Sequence, residues 1–171
     1  MSGDPNFDSP PANGLSNTLL EEVFRRLSFA RSLPEVISIV RYGVRSATRA
    51  DGVTFVLRES DQCHYWEEDA IEPLWKGQRF PIESCISGWS MLNNQVAVIE
   101  DVFADPRIPK DVYRPTFVKS LIMAPVGAAK PVAAIGAYWA AHRQFTEQEI
   151  AAIAGIAQAV PDLPGFAVAA E

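Results

Sequence analysis

The sequence predicts an α+β domain: a mainly antiparallel sheet with helices on its faces. Apolar residues recur at helical spacing near both ends of the chain, and this period shortens to that of a strand directly after Asp51 and Gly52. Two apolar runs, at 121–126 and 131–140, are joined by a turn of small residues and are typical of buried strands in a hairpin. Helices first, hairpins next and a helix last indicate helices packed on an antiparallel sheet.

Two helices are predicted before the first strand. Thr18 and Glu21 have the spacing of a capping box, and the apolar stripe that follows predicts a helix over about 18–30. Ser32 and Glu35 repeat this spacing, and the apolar residues after them again recur at helical intervals. We therefore expect two consecutive helices at the N-terminal end of the domain.

Alternation of side chains predicts a β-hairpin over residues 51–68. Apolar and polar residues alternate over 53–58, and Ser60 and Asp61 are suited to a turn. The following residues, 62–67, include Cys, Tyr and Trp and are typical of a second strand. This hairpin is the first part of the predicted sheet.

Two long loops and a short helix are predicted in the middle of the chain. Residues 71–84 and 101–119 contain prolines and aromatic residues without a clear period. Residues 84–94 have a short helical pattern, and the β-rich segment 96–99 follows. Long ordered loops in a compact domain are commonly functional, so we expect a binding site near them.

The last helix is predicted by a third capping box. Thr146 and Glu149 supply it, an apolar stripe follows, and Pro161 ends the helix. Neither end of the chain shows a period, and the N-terminal residues are rich in Pro and polar side chains. We therefore expect a flexible leader at 1–14, a single domain at 15–161 and a loose tail at 162–171.

The composition excludes several classes of function. The net charge is −6 and the basic residues are scattered, so a nucleic-acid partner is not expected. No apolar run is long enough to span a bilayer, and the N-terminus lacks a signal-peptide pattern, which predicts a cytoplasmic protein without a membrane partner. Cys63 and Cys85 lack metal-ligand spacing, and His64 and His142 are far apart, so free thiols and no metal site are expected.

Six blocks of sequence, taken in order, resemble a GAF domain, especially the GAF domains of bacterial sensor histidine kinases in two-component systems. Each block alone is weak, and the ordered series over about residues 18–160 carries the resemblance. The blocks are PLWKGQRFP at 73–81, CISGW at 85–89, VIED at 98–101, DPRIP at 105–109, SLIMAP at 120–125 and AIGAYW at 134–139.

The resemblance implies a GAF-like central antiparallel sheet of five to six strands. It also implies terminal helices on one face, a ligand pocket roofed by loops and short helices on the other face, and homodimerisation. Members of the family bind cyclic nucleotides, tetrapyrroles, haem or small metabolites, so the fold leaves the ligand or cofactor unknown. This chain lacks the motifs of the cyclic-nucleotide-binding and bilin-binding members.

A sensory or regulatory module, and not an enzyme, is the function that we expect. A small ligand would enter between loop 71–84, helix 85–93 and loop 101–119, and the terminal helices would report the change by population shift. Because the sequence ends soon after the last helix, the output would act on a signalling protein in trans. The apolar stripes of the terminal helices are expected to pack on the sheet and to form a dimer interface.

Cys85 is the candidate for an alternative, enzymatic function. It lies at the start of the short helix, where the helix dipole can lower the pKa of a thiol. Free-methionine sulfoxide reductases share the GAF fold, so one alternative is a thiol-dependent reductase of a small sulfoxide. Cys63 and His64 do not form a nucleophile–base pair in this interpretation, because adjacent strand residues point to opposite faces. A second alternative is a ligand-free interaction domain whose pocket is filled by side chains.

The candidate ligand-binding residues share a position on the predicted loops, the short helix or the sheet beneath them. Aromatic side chains of this kind commonly line an apolar pocket or fill a core. Asp101, Asp105 and Arg107 could hold a polar ligand group, although an Asp–Arg bridge that braces the loop is the favoured interpretation. The full set is Phe55, Trp75, Phe80, Cys85, Trp89, Asp101, Arg107, Tyr113, Phe117 and Met123.

Overall fold

The computed structural model describes residues 13–166, and side chains from residue 17 onward. The strands are β1 (Gly52–Glu59), β2 (Gln62–Ala70), β3 (Arg79–Pro81), β4 (Ala97–Ile99), β5 (Ser120–Val126) and β6 (Ala133–Trp139). The helices are α1 (Asn13–Phe29), α2 (Leu33–Thr48), α3 (Ile86–Asn93), α4 (Lys110–Tyr113) and α5 (Glu147–Ala159), with a 3-10 turn at Ile82–Ser84. None of the helices in this described part is long and apolar enough to cross a bilayer.

The strands form one six-stranded sheet in the order β3-β2-β1-β6-β5-β4, and every neighbouring pair is antiparallel. The predicted α+β class and the GAF-like sheet are therefore confirmed. The two hairpins, β1–β2 and β5–β6, meet along β1 and β6, which places the most buried strands at the centre. A register shift between Phe55 and Val56 leaves Trp66 as an extra residue in β2, and a bulge of this kind bends the strand that carries it.

Helices α1, α2 and α5 cover one face of the sheet, which we call the helical face. Its core includes Val23 and Leu27 of α1 and Ile153 and Ile156 of α5, so these four residues of the apolar stripes are buried within the chain. Helices α1 and α2 also pack against each other, because Gly43 leaves room for the Val23 side chain. The opposite face of the sheet carries a second core, which lies beneath α3, α4 and the long loops.

The capping boxes predicted at the starts of three helices are confirmed to different extents. The Thr146 side chain accepts a hydrogen bond from the Glu149 backbone, and the Glu149 carboxylate accepts the Thr146 N–H, so this capping box is confirmed. The Ser32 side chain caps α2 by accepting the N–H of Glu35, as predicted. The Glu35 carboxylate accepts the N–H of Arg31 and not that of Ser32, so the capping box is incomplete. The start predicted at Thr18 is wrong, because α1 is already helical from Asn13.

The loop predicted at 71–84 contains β3, which pairs with β2, and the 3-10 turn. Three-residue strands carry too short a pattern for a period to be detected, which is why the sequence missed it. The leader predicted at 1–14 falls almost wholly outside the described residues. Within the tail predicted at 162–171, the described residues Leu163 and Phe166 are buried in the helical-face core, and Phe166 stacks on Phe55. Packed structure therefore continues past Pro161.

Candidate functional site

Residues 71–94 and 101–119 cover the second face of the sheet, and we call these two segments the roof. Glu68, near the end of β2, holds the start of the roof in place. Its carboxylate accepts backbone N–H bonds from Leu74, Trp75 and Lys76 at 2.7, 2.9 and 2.7 Å. A carboxylate that accepts several N–H groups fixes a loop strongly, because each bond is charge-assisted. This arrangement sets the Trp75 ring above the sheet.

Aromatic rings fill the space between the roof and the sheet. The Trp75 ring centroid lies 4.8 Å from that of Tyr113 and 5.5 Å from those of Tyr65 and Tyr138. Tyr65 also meets Phe80 of β3 edge-on at 5.5 Å. Such edge-to-face contacts are favourable packing arrangements. The space in which a ligand was expected is therefore occupied by side chains in this structure.

Two tyrosine hydroxyls in this cluster differ in their hydrogen bonding. The Tyr138 hydroxyl lies 2.8 Å from Thr54 Oγ1, above Gly136, where a Cβ atom would come within 2.4 Å of that hydroxyl oxygen. The Tyr113 hydroxyl is buried and has no hydrogen-bond partner among the described residues. Burial raises the pKa of Tyr113, so its hydroxyl stays protonated. Tyr113 therefore presents an unused donor beneath the roof.

Cys85, Cys63, Ser87 and Tyr65 form a buried polar cluster at the start of α3. Cys85 is the N-cap residue of that helix, as the sequence predicted. Its Sγ accepts a hydrogen bond from Ser87 Oγ at 3.3 Å, and Ser87 Oγ lies 3.0 Å from the Tyr65 hydroxyl. The Cys63 thiol donates a hydrogen bond to Cys85 and, with Ser87 and the Gly88 N–H, lowers the pKa of Cys85 to about 7 against the opposing effect of burial. The same contact and burial raise the pKa of Cys63.

The outer part of the roof is held by a stack between its two segments. The Arg107 guanidinium lies 4.3 Å from the centroid of the Trp89 ring on α3. Arg107 also forms a two-point ion pair with Asp105, with Nε–Oδ1 at 3.0 Å and Nη2–Oδ2 at 2.8 Å. This bridge braces the loop, which agrees with the favoured interpretation. Asp101 accepts the N–H of Phe103 and so stabilises the loop start.

The structure brings most of the candidate residues to the roof or to the sheet beneath it: Trp75, Phe80, Cys85, Trp89, Asp101, Arg107, Tyr113, Phe117 and Met123. Phe55 is the exception, because it lies in the helical-face core. In a strand buried on both faces, the sequence does not tell which face a given residue takes. Sequence reasoning did not include Tyr65 and Tyr138 among the candidate site residues. An aromatic residue within a predicted central strand is the feature that could have identified them. Sequence reasoning also did not predict that Cys63 lies near Cys85.

Two cavities in the described part of the chain lie away from the roof. One, of about 880 Å³, lies beside the turn between β5 and β6 and the end of α5, with Lys130, Gln158 and Phe166 among its lining residues. The other, of about 410 Å³, lies between α1 and α2 near Phe29. No group of three or more metal-binding side chains occurs among residues 13–166. Neither cavity contains the residues predicted to bind a ligand.

Comparisons with solved structures find the same fold in several proteins. The GAF domain of an Acinetobacter phosphoenolpyruvate-protein phosphotransferase is 13% identical, covers 86% of this chain and 90% of its own, and has a TM-score of 0.74. Free methionine-R-sulfoxide reductase from Neisseria meningitidis is 17% identical, with coverages of 85% and 86% and a TM-score of 0.71. A putative GAF sensor protein from Burkholderia vietnamiensis is 16% identical, with coverages of 90% and 96% and a TM-score of 0.68.

These identities are low, so the structural likeness shows the fold alone. A search of curated proteins found no match to the sequence. The sequence model of the family described as GAF domain matches residues 32–160, a span that contains the whole sheet and the roof. The chain belongs to the GAF domain family.

Proposed function

We propose that this GAF domain is a regulatory module of the cytoplasm: a small ligand binds beneath the roof, and the terminal helices report this to a partner protein in trans. The Tyr113 hydroxyl carries the proposal, because it is buried without a partner among the described residues. Leaving such a group unpaired costs about 1–3 kcal/mol. A ligand with a hydrogen-bond acceptor would recover this cost, and the rings of Tyr65 and Trp75 suit a flat apolar body.

Ligand entry requires the roof to open, because the rings now occupy the space. Glu68 fixes the start of the roof strongly, at Leu74–Lys76. The contacts between the two roof segments are weaker: the Trp89–Arg107 stack, the Trp75–Tyr113 ring contact and a long hydrogen bond of 3.4 Å from Trp75 Nε1 to the Val112 carbonyl. An open minor state would bind the ligand, and the ligand would shift the population toward it. The apparent affinity is then reduced by the fraction of molecules that are open.

The central strands offer a route from the roof to the terminal helices. Val56 packs in the second core, between the sheet and the roof, whereas its neighbour Phe55 packs in the helical-face core. Phe55 stacks on Phe166, just beyond α5, at a centroid distance of 6.3 Å. A shift of β1 caused by a ligand would therefore displace the Phe55–Phe166 contact, which lies next to the end of α5. This route is a contiguous packed path of the kind that can couple two faces.

Equilibrium dialysis against the small-molecule fraction of a cell extract tests this proposal. Compounds retained by the wild-type protein are identified by mass spectrometry, and the Tyr113→Phe and Tyr42→Phe variants are compared. Tyr42 is 58% exposed on α2, so its variant is the matched control. We expect retention by the wild type and the control, and about tenfold weaker retention by Tyr113→Phe. Equal retention by all three proteins, or none, would contradict the proposal.

The exposed apolar side chains of α1 support the proposed homodimer. Phe24 is 38% exposed and Phe29 is 66% exposed, whereas Val23 and Leu27 of the same helix are buried. A second copy of the chain would cover these rings and complete the four-helix interface that the sequence suggests. Light scattering tests this: the wild type should have twice the monomer mass, and Phe24→Ser with Phe29→Ser should lower it. A monomeric wild type would rule out this arrangement.

The contact between Cys85 and Cys63 favours a second candidate function, a thiol-dependent reductase of a small sulfoxide. The neighbouring sulfoxide reductase structure supports the comparison at the level of the fold only. An assay of free methionine-R-sulfoxide reduction with a dithiol reductant tests it. Turnover by the wild type that disappears in Cys85→Ser would establish the enzyme. Equal rates with and without the protein would leave the regulatory module as the sole proposal.

A further inference from the structure

Two cysteines that lie far apart in sequence meet beneath α3, and their setting defines a modification site. We propose that a hydroperoxide oxidises the Cys63–Cys85 pair to an intramolecular disulfide, with Cys85 as the attacking sulfur and Cys63 as the resolving thiol. This oxidation site goes beyond the proposed function, because no ligand beneath the roof is required for it.

The β2–β3 pairing brings the two sulfurs together. Cys63 lies opposite Phe80 in the antiparallel register, and the chain then turns through the 3-10 segment to Cys85. The Cys85 thiol lies 3.6 Å from the carbonyl oxygen of Pro81, the residue after Phe80. Both side chains are buried in the same core, and each thiol shifts the pKa of the other. A disulfide needs the two Cα atoms within about 7 Å, and a short turn that folds back on its own strand pair can provide this.

The surroundings assign different roles to the two sulfurs. Cys85 lies at the N-terminus of α3 and accepts a hydrogen bond from Ser87, so its anion is favoured. Cys85 is 7% exposed, whereas Cys63 is fully buried. Cys63 also donates its proton toward Cys85, which keeps Cys63 a thiol. A small oxidant therefore meets a thiolate at Cys85 first, and thiolate character controls susceptibility to oxidation.

The reaction balances in two steps. The Cys85 thiolate attacks one oxygen of the hydroperoxide, the O–O bond breaks, and the departing oxygen takes a proton to leave as an alcohol or water. The product is a sulfenic acid on Cys85. Cys63 sulfur then attacks Cys85 sulfur, the S–O bond breaks, and the thiol proton of Cys63 leaves with the hydroxyl group as water. Two electrons pass from the two thiols to the peroxide.

Bond formation would displace the start of α3, because β2 is held by pairing on both sides whereas Cys85 precedes a short helix. Gly88 of α3 lies so close to the Ile82 carbonyl that a Cβ atom there would be 1.6 Å from its oxygen. Because α3 packs this closely on the turn that precedes Cys85, we expect a displacement at Cys85 to shift α3. The α3 part of the roof would become less ordered when the pair is oxidised.

Peptide mapping of the full chain after hydrogen peroxide treatment tests this proposal. The wild type should lose the mass of two hydrogen atoms and give one peptide in which Cys63 is linked to Cys85. Cys63→Ser should instead accumulate a sulfenic acid on Cys85 that a dimedone probe labels, and Cys85→Ser should give neither product. Circular dichroism checks whether both variants fold. If a variant does not fold, the wild-type map alone decides.

Three results would overturn the proposal. The first is a wild-type map with oxidised methionines and unlinked cysteines. The second is a disulfide that joins two copies of the chain. The third is a Cys85→Ser variant that consumes peroxide as fast as the wild type. Hydrogen exchange of the oxidised wild type should also be faster in α3 than in the reduced protein, and an unchanged rate in α3 would contradict the coupling to the roof.

Discussion

Cys85 lies where three donors converge on one sulfur: the Cys63 thiol, the Ser87 hydroxyl and the Gly88 N–H. Burial opposes these donors, and the balance places the pKa of Cys85 at about 7, below its usual value of 9.0. The pKa of Cys63 moves the opposite way, because it is buried and donates to its neighbour. Two chemically identical side chains thus acquire different protonation states from their positions.

The first prediction concerns the titration of these thiols, followed by thiolate absorbance in the ultraviolet. Because the folded pKa of Cys85 is lowered, one thiolate should appear as the pH rises through about 7. This transition should be absent in Cys85→Ser, and no further cysteine thiolate should appear below the pH at which unfolded thiols ionise. A single transition near the ordinary thiol pKa would show that the cluster does not act on Cys85.

Gly88 is the second residue whose role follows from its position alone. An added Cβ atom would lie 1.6 Å from the Ile82 carbonyl oxygen, which belongs to the backbone and cannot rotate away. Gly88→Ala should therefore lower the free energy of unfolding by about 3 kcal/mol, measured by urea denaturation. Gly155→Ala is the control, because its Cβ atom would meet only the Phe24 ring, at 3.3 Å. We expect the control to be neutral or slightly stabilising, and equal losses in both variants would contradict this account.

At the scale of elements, the two faces of the sheet are covered in different ways. Three long helices pack on the helical face, whereas the roof contains the three-residue strand β3, a 3-10 turn, α3, the single turn α4 and loops. Segments with few regular hydrogen bonds open at lower free energy than packed helices. The roof is therefore the part in which motion is expected, and the Trp89–Arg107 stack is one of the contacts that limit it.

The third prediction is that Arg107→Ala loosens the roof. The variant removes both the stack on Trp89 and the ion pair with Asp105, and loss of the stack alone should cost about 1 kcal/mol. Hydrogen exchange should become faster in residues 101–119. Arg114→Ala is the matched control, because among residues 13–166 Arg114 forms an ion pair only with the highly exposed Asp111, and such pairs contribute little. Comparable acceleration by both variants would argue against a role for the stack.

The elements also show why part of the structure is readable from the sequence. The Thr146–Glu149 capping box is predicted correctly because all its atoms belong to one helical turn. The Cys63–Cys85 contact is not, because it depends on the pairing of β2 with β3, a three-residue strand without a detectable period. The prediction that Phe55 lines the ligand site is wrong for a related reason. Strand β1 is buried on both faces, so alternation of apolar and polar residues does not show which face each residue takes.

At the scale of the molecule, the two cores share the sheet but have different boundaries. The helical-face core extends past α5 to Leu163 and Phe166. Sequence composition alone predicts a loose segment there, since no period marks it and isolated apolar residues do not define an element. The stacking of Phe166 on Phe55 joins the end of the described chain to the central strand β1. This contact is part of the path proposed between the roof and α5.

The fourth prediction is that Phe166→Ala destabilises the whole domain. The ring is fully buried, and large-to-small substitutions of buried Phe typically cost about 3–5 kcal/mol. Urea denaturation should show the loss in the cooperative unfolding transition, because Phe166 contacts the central sheet. Tyr42→Ala supplies the control, since that ring is 58% exposed and should change the free energy by about 0.5 kcal/mol or less. A Phe166 variant as stable as the control would mean that this segment is not part of the core.

The central claim is that ligand binding beneath the roof changes the packing of the terminal helices. The most direct measurement is hydrogen exchange over the whole chain, with and without a compound retained in the dialysis experiment. We expect changed exchange both in the roof and in α5, with the change in α5 abolished by Phe166→Ala while binding persists. Changes confined to the roof, or exchange in α5 that is identical with and without the compound, would contradict the claim.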